Sequence, residues 1–226
     1  TSAWQPFAEG LHLPLGVLAE PDGSLLVMQR AELTRLRDPE CPSPEFRQRV
    51  RRIASLMVPA VTANLETKVV PCNTPLEITS GVKVIRGIIL VPILRAGLGF
   101  LDGFLDLIPQ ASVAHIGLAR NEKTLEAESY YLKHPPILEE QEIIILDPML
   151  ATGGSAIEAV RRIKEAGASH VRFACLVAAP EGVSALEQAF PDLAIYTACM
   201  DRCLNSCGYI LPGLGDAGDR LFGTCA

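Results

Sequence analysis

The segment richest in chemistry runs over residues 142–155. Glu142-Ile143-Ile144-Ile145-Leu146 is mostly apolar, Asp147-Pro148-Met149-Leu150-Ala151 follows, Thr152-Gly153-Gly154-Ser155 comes next, and a helical pattern starts at once. A strand that ends in an acid and turns through hydroxyl, glycine, glycine and hydroxyl into a helix has the order that phosphate capture needs. Glycines let backbone amides face an anion, the helix start adds partial positive charge, and Thr152 and Ser155 can donate hydroxyl hydrogens. Asp147, beside that phosphate, is placed to accept from two ribose hydroxyls. No lysine stands in the loop, so it is not the nucleoside-triphosphate loop that ends in Gly-Lys-Ser/Thr.

Other reactive side chains are scattered. Arg95 follows an apolar run and precedes Ala96-Gly97, the C-terminal strand end at which open α/β sheets bind ligands. Residues 208–223 hold five glycines and a proline together with Asp216, Asp219 and Arg220, so they are expected to form no regular element and to serve as a functional loop. Cys199, Cys203 and Cys207 recur at the spacing of one helical face, but no histidine or fourth cysteine lies close enough for a tetrahedral site, and no protein-held metal is expected. His115 lies on an apolar strand and His134 precedes Pro135-Pro136, so both read as structural.

The elements that must position these groups follow from periodicity. An apolar, β-branched run over 84–91 reads as a buried strand, with similar runs over 113–118, 142–146, 171–178 and 193–198. Helical patterns over 98–108, 155–166 and 183–190 lie among them, the last two closed by Gly167 and Pro191. Alternating strands and helices predict the α/β class, with a mostly parallel central sheet flanked by helices. Upstream, Phe46, Val50, Ile53, Ala54 and Met57 predict an amphipathic helix from about Pro44 to Leu56, with Pro59 expected to end it. Residues 1–30 read as an irregular N-terminal arm, 31–226 as a single domain, and the charged stretch 121–140 as a projecting hairpin hood.

Bulk composition narrows the partners. At 226 residues and 49 % hydrophobic the chain can bury a sizeable core. A net charge of −6 argues against a nucleic-acid partner, and no apolar run is long enough for a membrane span. Seven scattered cysteines read as reduced thiols of a cytoplasmic protein.

Residues 147–155 resemble the loop of phosphoribosyltransferases that binds phosphoribosyl pyrophosphate (PRPP). The wider chain resembles the uracil phosphoribosyltransferase family through Val91-Pro92-Ile93-Leu94-Arg95-Ala96-Gly97-Leu98-Gly99, His115-Ile116-Gly117-Leu118-Ala119-Arg120 and the segment 208–220. The resemblance spans roughly 33–224. It implies transfer of phosphoribose from PRPP to uracil, giving uridine monophosphate and pyrophosphate. It places Asp147, Arg95 and Arg120 in the catalytic machinery. PRPP would meet both arginines, the loop Asp147, Pro148, Met149, Leu150, Ala151, Thr152, Gly153, Gly154 and Ser155, and Asp216. Uracil would meet Tyr209, Ile210, Gly215, Asp216 and Ala217. Asp216 is by position alone a candidate general base. Mg²⁺ carried on PRPP, a GTP effector and a homodimer or homotetramer are implied as well. The chain departs from the family pattern at Ala119 and Asn121, where an aromatic residue and an acid are expected beside Arg120. Two other readings remain open: a nucleotide-sensing regulator of the same fold, and a phosphoribosyltransferase for another base.

Overall fold

Residues 88–94 and 143–146 are apolar at every position, so only a sheet covered on both faces can bury them. The computed structural model, which describes residues 24–120, 127–135 and 139–224, has that arrangement. In chain order the elements are α1 (Ser24–Arg37), α2 (Ser43–Thr62), β1 (Thr67–Asn73), β2 (Ile78–Val84), β3 (Ile88–Leu94), α3 (Gly97–Leu105), β4 (Ser112–Val113), β5 (His115–Arg120) and β6 (Ala127–Lys133). Then come β7 (Glu142–Leu146), β8 (Met149–Leu150), α4 (Gly154–Glu165), β9 (His170–Ala178), α5 (Pro180–Ala189), β10 (Ala194–Met200), β11 (Cys203–Leu204), β12 (Ile210–Leu211) and α6 (Ala217–Phe222).

The main sheet has the order β10-β9-β7-β3-β5-β6 and is parallel except where β6 returns antiparallel to β5. Successive side chains on a strand point to opposite faces. Ile144 and Leu146 of β7 therefore join Phe46, Val50, Met57, Phe100 and Phe104 under α2 and α3. Ile143 and Ile145 join Ala159, Val160, Ile163 and Leu186 under α4 and α5. This is the expected α/β architecture. No helix among the described residues is long and apolar enough to cross a membrane.

Several boundaries differ from expectation. Within the segment read as an irregular arm over residues 1–30, α1 begins at Ser24. From Ser24 to Arg37 there is no glycine or proline, and Leu, Met, Gln, Glu and Arg all favour a helix. Residues 1–23 lie outside the described residues. The run 84–91 is divided: Val84 closes β2, and the buried strand starts at Ile88 after Arg86 has turned away to Glu66 at 3.0 Å and Glu142 at 3.4 Å. Helix α2 continues through Pro59 to Thr62. A proline there removes one backbone bond, at about 3 kcal/mol, but Ala60 and Val61 beyond it are both buried, which offsets that loss. The hairpin β1–β2 had no signal, because both of its faces are largely exposed and leave no burial pattern. Of the expected hood over 121–140, β6 is described, whereas 121–126 and 136–138 lie outside the described residues.

Helices α2 and α3 pack closest at Gly103. A Cβ at that position would sit 2.6 Å from Ala54 Cβ and still nearer the Arg51 carbonyl. Helix propensity favours alanine over glycine by about 1 kcal/mol, whereas overpacking a tight contact costs about 1–3 kcal/mol. Gly103→Ala should therefore destabilise the protein by about 1–2 kcal/mol in urea unfolding; a stabilised variant would show that the helices can move apart without loss.

Candidate active site

The phosphate loop is held from behind. Strand β7 delivers Asp147 to the C-terminal edge of the sheet. Beyond it, Pro148 O accepts from Leu176 N and Val177 N, each at 3.0 Å, and Leu150 O accepts from Ala179 N at 2.9 Å. The short strand β8 adds to β9. Strapped on that side, the chain turns into α4 at Gly153, whose φ of 86° lies in the left-handed region that glycine tolerates. A Cβ on Gly182 would sit 2.8 Å from Leu150 O, so α5 also starts against the loop only because residue 182 is glycine. No side chain caps α4, and Thr152, Gly154 and Ser155 are exposed around its first amides. Uncapped amides at a helix start can cradle an anion. Pro148 and Leu150, also expected to contact PRPP, are buried, with their carbonyls committed to β9. They support the loop.

The last segment is more regular than expected, since residues 208–223 contain β12 and α6. Asp216 makes that helix possible: its Oδ1 accepts from Asp219 N at 2.9 Å, an N-cap bond. Before it, Asn205 Oδ1 accepts from Cys207 N and Tyr209 N, each at 2.9 Å, and shapes a tight turn. Cys199, Cys203 and Cys207 thus fall in β10, β11 and this turn, and share no helical face.

Guanidinium groups tie the segment to the N-terminal helices. Arg220 Nη1 donates to Leu36 O at 2.6 Å and to Leu214 O at 2.8 Å, and its guanidinium lies 4.3 Å from the Phe46 ring centroid. Arg37 grips Asp201 with two donors, at 2.8 and 2.6 Å. Burial works to raise the Asp201 carboxyl, but Arg37 and the Gly213 amide outweigh it and hold the group below its ordinary value.

Both loops meet in one cleft of about 330 Å³ at the C-terminal strand ends. Asp147, Met149 and Ala151 form one wall; Tyr209, Ile210, Gly215, Asp216 and Ala217 form the other. The loops nearly touch, since a Cβ on Gly208 would lie 3.5 Å from Thr152 Cγ2. Ala96 also lines the cleft, next to Arg95. The Arg95 guanidinium is 59 % exposed and rests on Asp219 Oδ1 at 3.2 Å, an exchangeable contact that an arriving polyanion could displace. Arg120 ends β5, and its side chain lies outside the described residues. Cys207, Gly208 and Gly218 line the cleft without having been anticipated as contacts. The signal available for them was the Asn205-to-Gly208 turn and the glycine spacing. A second cavity, of about 310 Å³, opens near the beginnings of β7, β9 and β10. Its Arg172 is already bonded to Glu142 at 3.2 Å, Val61 O at 3.0 Å and Tyr196 at 3.2 Å, so that wall is engaged in structure.

Asp147 is the electrostatic oddity of the cleft. Burial pushes its carboxyl up to about 7, against a single bond from Met149 N at 3.3 Å that favours the ionised form. The unfolded chain ionises this group near 3.8, so its contribution to the free protein's stability is fully present below that pH and is lost as pH rises through about 7. Asp147→Asn removes the ionisation. Its stability should not show that decline and should exceed wild type at pH 8 by on the order of 2 kcal/mol, as measured by thermal unfolding across pH. Equal pH profiles for the two proteins would contradict this.

The comparisons agree with the geometry. A family model for uracil phosphoribosyltransferase matches residues 27–224. The uracil phosphoribosyltransferase of Ligilactobacillus salivarius is 52 % identical over 194 residues, covering 85 % of this chain and 93 % of that one. That of Dictyoglomus turgidum is 50 % identical over 195 residues, covering 85 % and 94 %. Among solved structures, the AQ2163 protein of Aquifex aeolicus superposes with a TM-score of 0.82 at 34 % identity, covering 88 % of this chain and 96 % of that one. With half of each close relative's residues retained and the matched region enclosing both loops of the cleft, the chain belongs to the uracil phosphoribosyltransferase family.

Proposed function

We propose that this chain transfers phosphoribose from PRPP to uracil, forming uridine monophosphate and pyrophosphate. The observation that carries the reading is the convergence of three separately encoded segments, the loop 147–155, the Arg95-Ala96 corner and the loop 207–218, on one cleft. Its volume suits a small ligand. Residues 31–224 act as one unit in this reading.

The 5-phosphate would rest on the exposed Thr152, Gly154 and Ser155 at the start of α4. Asp147 would accept from the ribose hydroxyls, which supply the solvation that burial has taken from its carboxylate. Arg95 would exchange Asp219 for the pyrophosphate, and Arg120 is assigned to the same anion by family resemblance. Guanidinium suits that role because it stays charged and offers paired donors. As the bond from the anomeric carbon to pyrophosphate oxygen breaks, the sugar becomes cation-like. A ring nitrogen of uracil then bonds to that carbon from the opposite face and gives up its proton, for which Asp216 is by position the candidate acceptor. Preorganised charge of this kind is commonly worth several kcal/mol to a transition state. Magnesium suits the all-oxygen donors that Asp147 and Asp216 present, and when bound on PRPP it would neutralise pyrophosphate charge. Uracil offers an N–H between two carbonyls, which backbone groups at Ile210 and 215–217 can complement; cytosine reverses part of that pattern and leaves buried groups unpaired. The family resemblance further supports a homodimer or homotetramer, a GTP effector and a cytoplasmic setting.

The test is nucleotide formation from PRPP with uracil, cytosine, hypoxanthine or orotate, with and without magnesium. Turnover should require uracil and magnesium, and should fall by about 10²-fold or more in Asp147→Asn. Arg95→Ala should raise the KM for PRPP about tenfold, the equivalent of one charge-assisted hydrogen bond. Saturable PRPP binding with no turnover on any base would overturn the enzyme reading in favour of a regulator.

A further inference from the structure

Asp201 is 7 % exposed and does not line the cleft, yet it is tied directly to the loop that does. Its Oδ2 accepts from Gly213 N at 2.9 Å, while Arg37 Nη1 donates to Gly213 O at 3.0 Å and also to Asp201 Oδ2 at 2.8 Å. Both main-chain groups of one glycine are therefore held by one ion pair. Gly213 has a φ of 62°, and a Cβ there would run into the Ile210 carbonyl, so the chain folds back on Ile210 at this point. Ile210 and Gly215, on either side of the clamp, both face the cleft. The phosphate loop is secured elsewhere, by β9.

We infer that Asp201 and Arg37 are a positioning pair for base recognition: by fixing the main chain at Gly213 they set how well the loop 210–217 holds uracil, without touching substrate and with far less influence on PRPP, which that loop meets at Asp216 alone. The inference rests on the assignment of that loop to uracil. Asn at position 201 would turn an amide hydrogen toward Gly213 N or Arg37, donor against donor, and release the clamp. Lysine at position 37 keeps the charge but loses the two-pronged grip.

The experiment is initial rates over a grid of uracil and PRPP concentrations for wild type, R37K, D201N and the double variant, with thermal unfolding of each. D201N should raise the KM for uracil about tenfold and leave that for PRPP within about twofold, as loss of one charge-assisted contact on one side of the cleft implies. R37K should show the same split at smaller size, and the double variant should be no worse than D201N, because both substitutions break one unit. Discrimination against cytosine should fall in step. A purely structural ion pair would lower the unfolding temperature and move both KM values or neither; that pattern in folded protein overturns the inference. Should D201N fail to fold, R37K decides by the same split, since its side chain is 24 % exposed and the substitution retains charge. A wild type without uracil turnover would overturn the functional reading together with this inference, whereas an active wild type with unsplit variants overturns this inference alone.

Discussion

The structure depends on one constraint: two loops must present main chain to a ligand, so the bonds that shape them must come from behind. For the phosphate loop the support is β9, whose amides at Leu176, Val177 and Ala179 take the carbonyls of Pro148 and Leu150. For the terminal loop it is guanidinium, with Arg37 on Gly213 and Arg220 on Leu214. Backbone groups bound in this way hold one conformation before ligand arrives, and less ordering is left for binding to bring about.

The parallel sheet makes this support possible. Its central strands are apolar on both faces, so α2 and α3 cover one side while α4 and α5 cover the other, and the C-terminal ends of the parallel strands open on the same edge. Asp147 is carried there by a strand that is apolar from Ile143 to Leu146, which explains both its place and its raised carboxyl. The environment that makes the ionised form of this acid unfavourable in the free protein would leave it open to the ribose hydroxyls that the proposed function assigns to it. Tight backbone approaches, such as Gly182 against Leu150 O, which a Cβ at position 182 would meet at 2.8 Å, leave the assembly little slack.

Much of this was legible in the chain. The loop 147–155 declared itself because all of its parts are contiguous, and the alternation of elements was visible because burial imposes a period on each. That Pro148 and Leu150 back the loop against β9 was not legible, because a linear motif does not show which of its residues face the sheet. Helix α6 was hidden by the glycines around it, since its cap depends on Asp216 reaching Asp219 N. Pro59 was overruled by burial of the residues beyond it. Arg37 and Asp201 were invisible for a plainer reason: they meet across 164 residues, and neither has a local pattern that calls for the other.

The most direct test of the account is a crystal structure with uridine monophosphate bound. The phosphate should lie on the amides at the start of α4 with Thr152 and Ser155, the ribose hydroxyls on Asp147, and the uracil ring against the main chain of Ile210 and residues 215–217. A nucleotide seated in the cavity beside Arg172, or one whose base lies away from the terminal loop, would contradict it.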